Sequence, residues 1–243
     1  MHYNIIDEQD FLSKNNIQDK NFDGLLGGLE EGIDHNNYYW FQNSFSKGEI
    51  DQIIAENEPR TLKATTFSGA DDKLRKSNIT WIEKNQKAWS RDMYRGSAPA
   101  GQGQAEPQFE HDELNINNSW IFEKFANMAL EANTNNFKFE LWGMHEGIQY
   151  TVYKGGDKGF YCGHVDHGKN YYKRKLSMVC QLSDPDSYSG GDLLIHTKNH
   201  PITMPRGLGA VICFPSWMLH EVTPVTEGTR RSLVLWISGP PFR

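Results

Sequence analysis

Residues 219–237 read LHEVTPVTEGTRRSLVLWI, and the second half of that stretch alternates strictly. Arg231, Leu233, Leu235 and Ile237 form one set, mostly apolar; Arg230, Ser232, Val234 and Trp236 form the other. Successive side chains of a β-strand point to opposite faces, so the first set can pack on a neighbouring layer while the second presents a guanidinium, a hydroxyl and an indole together. An arginine on such a face can hold a carboxylate through two parallel hydrogen bonds, and Ser232 can add a third donor. Arg231 belongs to the opposite face, where solvent or an acidic neighbour would receive it.

The same stretch opens with His220, whose partners lie further upstream at His164-Val165-Asp166. On a strand over 161–167, His164 and Asp166 would stand side by side. One histidine from a distant strand then completes two imidazoles and a carboxylate on one side of a metal, the ligand set of a non-haem Fe(II) centre with positions left open. A lone His-x-Asp occurs by chance, and a lone histidine is more often a satisfied core residue. Register with Arg230 and Ser232 favours the ligand reading. His167 would face away from the metal, and His196 and His200 read as exposed polar residues near a strand end.

Outward from these motifs the chain is rich in short strands. Candidates are 148–154, 161–167, 174–182, 191–196, 208–214, 219–225 and 230–238, punctuated by Gly155-Gly156, Pro185, Gly190-Gly191, Pro205, Gly207 and Gly228. Many short strands with turn signals between them predict a sandwich or barrel. Gln149, Thr151 and Tyr153 share one face of 148–154. Leu176, Met178, Cys180 and Leu182 oppose Lys175, Ser177, Val179 and Gln181 on 174–182. Residues 44–147 look mixed: Ser46 followed by Glu49 predicts a capped helix to Glu56, 78–82 a strand, and Trp120–Asn133 a helix. The polar, Pro/Gly-rich run 96–108 predicts a mobile loop, either plain surface or a lid. Residues 1–43 read as an N-terminal elaboration.

The residues Tyr161-Cys162-Gly163-His164-Val165-Asp166, Gly190-Gly191-Asp192-Leu193, Phe214 to Val225, Arg230-x-Ser232 and Trp236 together resemble the 2-oxoglutarate- and Fe(II)-dependent oxygenases, in the prolyl 4-hydroxylase-like branch with bacterial and phage members. The resemblance covers roughly 149–238, with a weaker echo at Arg75-Lys76-Ser77. It implies a single oxygenase domain over 1–243: a mainly β, mixed α/β chain whose double-stranded β-helix (jelly roll) spans 148–243, behind N-terminal supporting helices. It implies Fe(II) held by His164, Asp166 and His220, and 2-oxoglutarate anchored by Arg230 with Ser232, Tyr153 and Gln181 as further pocket residues. O2 would be the oxidant, and ascorbate an accessory reductant. Trp236, Tyr161 and Arg75 would line the substrate site, although from the residues alone Tyr153, Tyr161 and Trp236 fit a core as well. The implied reaction hydroxylates an unactivated C–H bond with release of succinate and CO2. Many prolyl 4-hydroxylases carry Lys where this chain has Arg230, so the oxygenase class follows more directly than a prolyl substrate.

Composition sets the remaining bounds. The 243 residues carry 25 Lys and Arg against 31 Asp and Glu, a net charge of −6. That balance argues against nucleic acid or an anionic membrane surface as partner. Lys169, Lys173, Arg174 and Lys175 form a local basic run, read as the solvated start of a strand. No apolar run approaches the roughly 20 residues of a membrane helix, and the N-terminus lacks a signal pattern. The three cysteines, Cys162, Cys180 and Cys213, have no metal or disulfide spacing, which predicts reduced thiols in the cytoplasm. A peptide or protein substrate is the leading expectation, a free amino acid or small molecule the first alternative. A non-enzymatic cupin-like metal-binding module would leave Arg230 and Ser232 without a role.

Overall fold

The computed structural model describes residues 37–65, 72–84, 117–197 and 200–241. Most of the 1–43 elaboration and all of the 96–108 loop lie outside the described residues.

Strands dominate because apolar and polar residues alternate along them, and they assemble into two facing sheets. The major sheet runs β1 (Tyr39–Phe41), β11 (Val211–Pro215), β7 (Arg174–Gln181), β13 (Val225–Ser238), β5 (Ile148–Lys154), β4 (Asn78–Ile82) and β2 (Leu62–Lys63), with β8 (Tyr188–Gly190) paired to the start of β13. The minor sheet runs β10 (Pro201–Thr203), β9 (Leu193–His196), β12 (His220–Val222), β6 (Phe160–His164) and β3 (Arg75–Lys76). All pairings between these strands are antiparallel. The chain is thus a mainly β jelly roll with helices contributed from before β5.

Period-2 alternation splits the interior in two. Ile148, Tyr150, Val152, Leu176, Met178, Cys180, Leu233 and Leu235 face the helices and bury with them. Tyr153, Val179, Ile212 and Phe214 face the minor sheet and pack on Leu193, Ile195 and Val222. The helical layer is α1 (Lys47–Asn57) and α2 (Ser119–Ala132). Helix α1 starts where the Ser46 side chain accepts from Glu49 N and Glu49 reaches back to Ser46 N at 2.7 Å, a reciprocal cap. Helix α2 buries Ile121, Phe122, Phe125, Met128, Ala129 and Ala132, a single apolar stripe against the sheet. The chain leaves it through Lys138, whose φ of 60° ends the helical run.

Of the strand boundaries that differ from the sequence expectation, two bear on the site. The strand expected over 161–167 ends at His164, so Asp166 lies beyond it. The strand expected to begin at 230 begins at Val225, because Gly228 is a bend within the strand and not its terminator. Gly228 has φ +67°, and a Cβ there would come within 2.2 Å of Ser187 O. Among the described residues no helix is long and apolar enough to cross a membrane. Cys162, Cys180 and Cys213 are free thiols; burial pushes Cys180 and Cys213 well up, so both act as small core residues.

Candidate active site

His164 ends β6 and His220 begins β12, and the two are direct partners across that strand pair, which sets their rings 4.2 Å apart. Each Nδ1 lies 2.9 Å from the carbonyl two residues back, Cys162 O for His164 and Met218 O for His220. A carbonyl can only accept, so both Nδ1 atoms carry the proton and both Nε2 lone pairs are free for a metal. Burial, with His220 close by, lowers the His164 pKa to about 4, which keeps that imidazole neutral.

Asp166 reaches the histidines from outside their sheet. Its N–H and that of His167 both donate to Ser216 O at 2.9 Å, folding the chain back immediately after His164. Its carboxylate accepts from Ser177 Oγ at 2.6 Å and lies 3.7 Å from His164 Nε2 and 3.5 Å from His220 Nε2. Burial alone would raise this carboxyl; His220, His164 and the Ser177 hydroxyl outweigh it and hold it below the usual range. The donor atoms of His164, Asp166 and His220 all lie within 4.8 Å of one another. Two imidazoles and one carboxylate of this spacing fit a divalent metal with open positions. His167, His196 and His200 are not in this cluster; His196 instead meets Glu221 at 3.1 Å. Period-2 alternation therefore does not explain why His164 and Asp166 meet; a turn pinned to Ser216 does.

Arg230 is 1% exposed, on the face of β13 that looks toward the minor sheet. It donates to Gln181 Oε1 at 3.0 Å and to Ser232 Oγ at 3.5 Å, its guanidinium lies 5.4 Å from the Tyr153 ring, and its Nε has no partner. No carboxylate pairs with it among the described residues. A buried cation with only neutral partners and one orphaned N–H is suited to receive an anion, since leaving it uncompensated costs several kcal/mol. That arrangement fits the distal carboxylate of 2-oxoglutarate. Gln181 uses one of its two amide N–H groups on Pro205 O at 3.2 Å, which turns its oxygen toward Arg230 and holds the guanidinium in place. Gly191 makes room: a Cβ there would press within 3.0 Å of Arg230 Cδ.

The row Arg230, Ser232, Val234, Trp236 leads toward the metal ligands, because Trp236 pairs with Ser177, which holds Asp166. Trp236 is buried, and the Arg174 guanidinium lies 3.6 Å over its ring, so a substrate does not have that face free. Arg174 itself is sandwiched between Trp236 and Tyr171, ion-paired to Glu146 and hydrogen-bonded to Asp166 O. The basic run therefore divides: Lys169 and Lys173 are exposed as expected, whereas Arg174 and Lys175 are buried, at 7% and 4% exposure. Tyr161 stacks on His164 at 3.6 Å, and Arg75 lies 4.6 Å over Tyr161 from the paired strand β3. Arg174, Ser177 and Gln149 are the site residues that sequence reading overlooked. Ser177 and Gln149 were signalled by polar residues on the inward faces of β7 and β5; Arg174 was masked by its basic neighbours.

With this geometry in place, three comparisons bear on identity. Residues 148–238 match the 2OG-Fe(II) oxygenase superfamily. A PKHD-type hydroxylase from Teredinibacter turnerae is 37% identical over 95 residues, 37% of this chain and 41% of that protein. One from Rippkaea orientalis is 30% identical over 125 residues, 49% of this chain and 56% of that protein. The chain thus spans about half the length of these curated relatives. In solved structures it is similar to a Pseudomonas putida prolyl-4-hydroxylase, with TM-score 0.59 and 18% identity over 84% of this chain and 94% of that one. It is also similar to a Trichoplax adhaerens prolyl hydroxylase solved with a hypoxia inducible factor oxygen degradation domain peptide fragment, with TM-score 0.62 and 15% identity over 84% of each chain. At those identities the structural likeness speaks to fold alone, and residues 148–238 carry the sequence match to the 2OG-Fe(II) oxygenase superfamily.

Proposed function

We propose that this chain is an Fe(II)- and 2-oxoglutarate-dependent dioxygenase that hydroxylates an unactivated C–H bond, with a prolyl residue in a peptide as leading substrate and succinate and CO2 as co-products. The observation that carries the reading is Arg230: a buried cation with no acid beside it among the described residues, on the sheet face that leads to a His-Asp-His cluster. The hydroxylase names of the relatives and the prolyl hydroxylases among its structural neighbours support the same reaction class.

In this reading His164, Asp166 and His220 hold the metal, and the carbonyls of Cys162 and Met218 fix their tautomers. Ser177 orients the carboxylate. Arg230 and Ser232 bind the distal carboxylate of the co-substrate, Gln181 sets the guanidinium, and Tyr153 closes the pocket wall. When bound, iron and 2-oxoglutarate supply the oxidising chemistry, with ascorbate as accessory reductant; the protein supplies placement and a dry, charged cavity.

The test is anaerobic Fe(II) and 2-oxoglutarate titration by calorimetry, followed by succinate formation with a panel of prolyl peptides. Each of His164→Ala, Asp166→Ala and His220→Ala is expected to lose Fe(II) binding while remaining folded. Unchanged affinity in any one of them removes that residue from the ligand set. A wild-type chain that binds no 2-oxoglutarate overturns the reading as a whole.

A further inference from the structure

Three arginines are buried beside the site, and they differ in what neutralises them. Arg174 has Glu146. Arg230 is assigned above to the co-substrate. Arg75, 7% exposed, has neither. Its Nε donates to Ser77 Oγ at 2.8 Å and its Nη2 to Gln149 Oε1 at 2.8 Å, and both acceptors are neutral. Gln149 Oε1 also takes a hydrogen bond from Thr151, which leaves that oxygen little capacity for more. The remaining partner of Arg75 is the face of Tyr161. Among the described residues no carboxylate pairs with Arg75 and no acceptor meets its Nη1.

The two hydrogen bonds engage Nε and one N–H of Nη2, leaving both N–H groups of Nη1 and the second of Nη2, which together can present a fork. That fork is the geometry that takes both oxygens of a carboxylate. Its position is close to the chemistry: Arg75 lies over Tyr161, and Tyr161 stacks at 3.6 Å on the metal-ligating candidate His164. A cation–π contact and two neutral acceptors leave the Arg75 cation without a counter-charge, and an anion would supply one.

We propose that Arg75 binds a carboxylate of the substrate, so that the molecule oxidised by this chain is an acid. The carboxylate would sit on the reacting residue or its immediate neighbour: the α-carboxylate of a free or C-terminal residue, or an acidic side chain next in sequence. The inference rests on the hydroxylase reading above and narrows it from any prolyl peptide to an anionic one. Arg75 is then a substrate-binding residue, and Ser77 and Gln149 position its fork.

The experiment compares matched carboxylate and amide ligands in the Fe(II)- and 2-oxoglutarate-loaded full chain under anaerobic conditions, by calorimetry. One pair is N-acetylproline and its amide, reporting a C-terminal carboxylate. The other is N-acetyl-Pro-Glu-amide and N-acetyl-Pro-Gln-amide, reporting a neighbouring acidic side chain. In one pair the acid is expected to bind at least ~10-fold tighter than its neutral counterpart. Arg75→Gln should erase that gap while 2-oxoglutarate affinity stays within about twofold, since Arg230 is untouched. The melting temperature of Arg75→Gln should hold or rise, because an uncompensated buried charge is removed. Acids that bind no tighter than amides, a gap that survives Arg75→Gln, or a marked fall in melting temperature each overturn the assignment. A chain that binds no 2-oxoglutarate overturns instead the reading on which it rests.

Discussion

The two faces of the major sheet are built from the same strands yet obey different rules. On the helix side, Arg231 donates to Glu58 at 2.9 Å, and Tyr150 donates to the same carboxylate at 3.2 Å. On the minor-sheet side, one residue away, Arg230 is more deeply buried and meets no acid among the described residues. Adjacent arginines in one strand thus differ in kind. Where the protein satisfies its own charges, the layer serves as scaffold; where it leaves cations short of anions around a ligand-competent cluster, the layer is suited to receive a ligand. The melting temperature should respond to the first face and ligand affinity to the second.

The largest expected effect belongs to the scaffold. Phe125 is fully buried between α2 and the sheet, and Phe125→Ala should cost about 3–5 kcal/mol in denaturant unfolding. Ligand binding in the fraction that remains folded should be unaltered. Arg230→Gln should do the reverse, weakening 2-oxoglutarate binding by about 2–5 kcal/mol with stability kept or raised. If Arg230→Gln unfolds the protein and leaves co-substrate affinity intact, the distinction between the faces fails. Ser177→Ala comes next. It removes the hydroxyl that orients Asp166, so Fe(II) affinity should fall by about 10–100-fold, read by anaerobic titration.

The smallest effect concerns Glu58. Arg231 holds its carboxyl below the usual range. A depressed carboxylate contributes stability above its unfolded value of about 4.3, and that contribution is lost as pH falls through the lower folded value. The side chain keeps 30% exposure, so solvent screens the pair. Glu58→Gln should therefore cost only about 0.5–1 kcal/mol at neutral pH, shrinking toward zero in acid. A cost that grows on acidification would show that Glu58 is not charged in the folded state.

Much of this division was legible in the residues. Alternation over 230–237 separated Arg230 from Arg231 correctly, because the β period of two is rigid once a strand is recognised. Ser46 and Glu49 announced helix α1 through a local cap that needs no tertiary information. Three features were less readable, each for a long-range reason. Asp166 meets His164 through a turn pinned by Ser216, fifty residues distant in sequence, which no local pattern encodes. Gly228 punctuates a sequence as a turn would, yet β8 pairs across it and keeps the strand continuous. Arg174 looks like one more solvated base until Glu146, Tyr171 and Trp236 close around it.

The ligand cluster also straddles the sandwich. His164 and His220 hang from β6 and β12 in one layer, whereas Asp166 is tethered through Ser216 and Ser177 to β11 and β7 in the other. A divalent ion shared by all three would rivet the layers together at one end of the jelly roll. Splaying the layers and releasing the ion would then be a single event, so the ion's binding free energy would count directly toward resistance to unfolding. The far end, around Arg230, would have no such rivet and would be free to breathe as co-substrate enters and leaves.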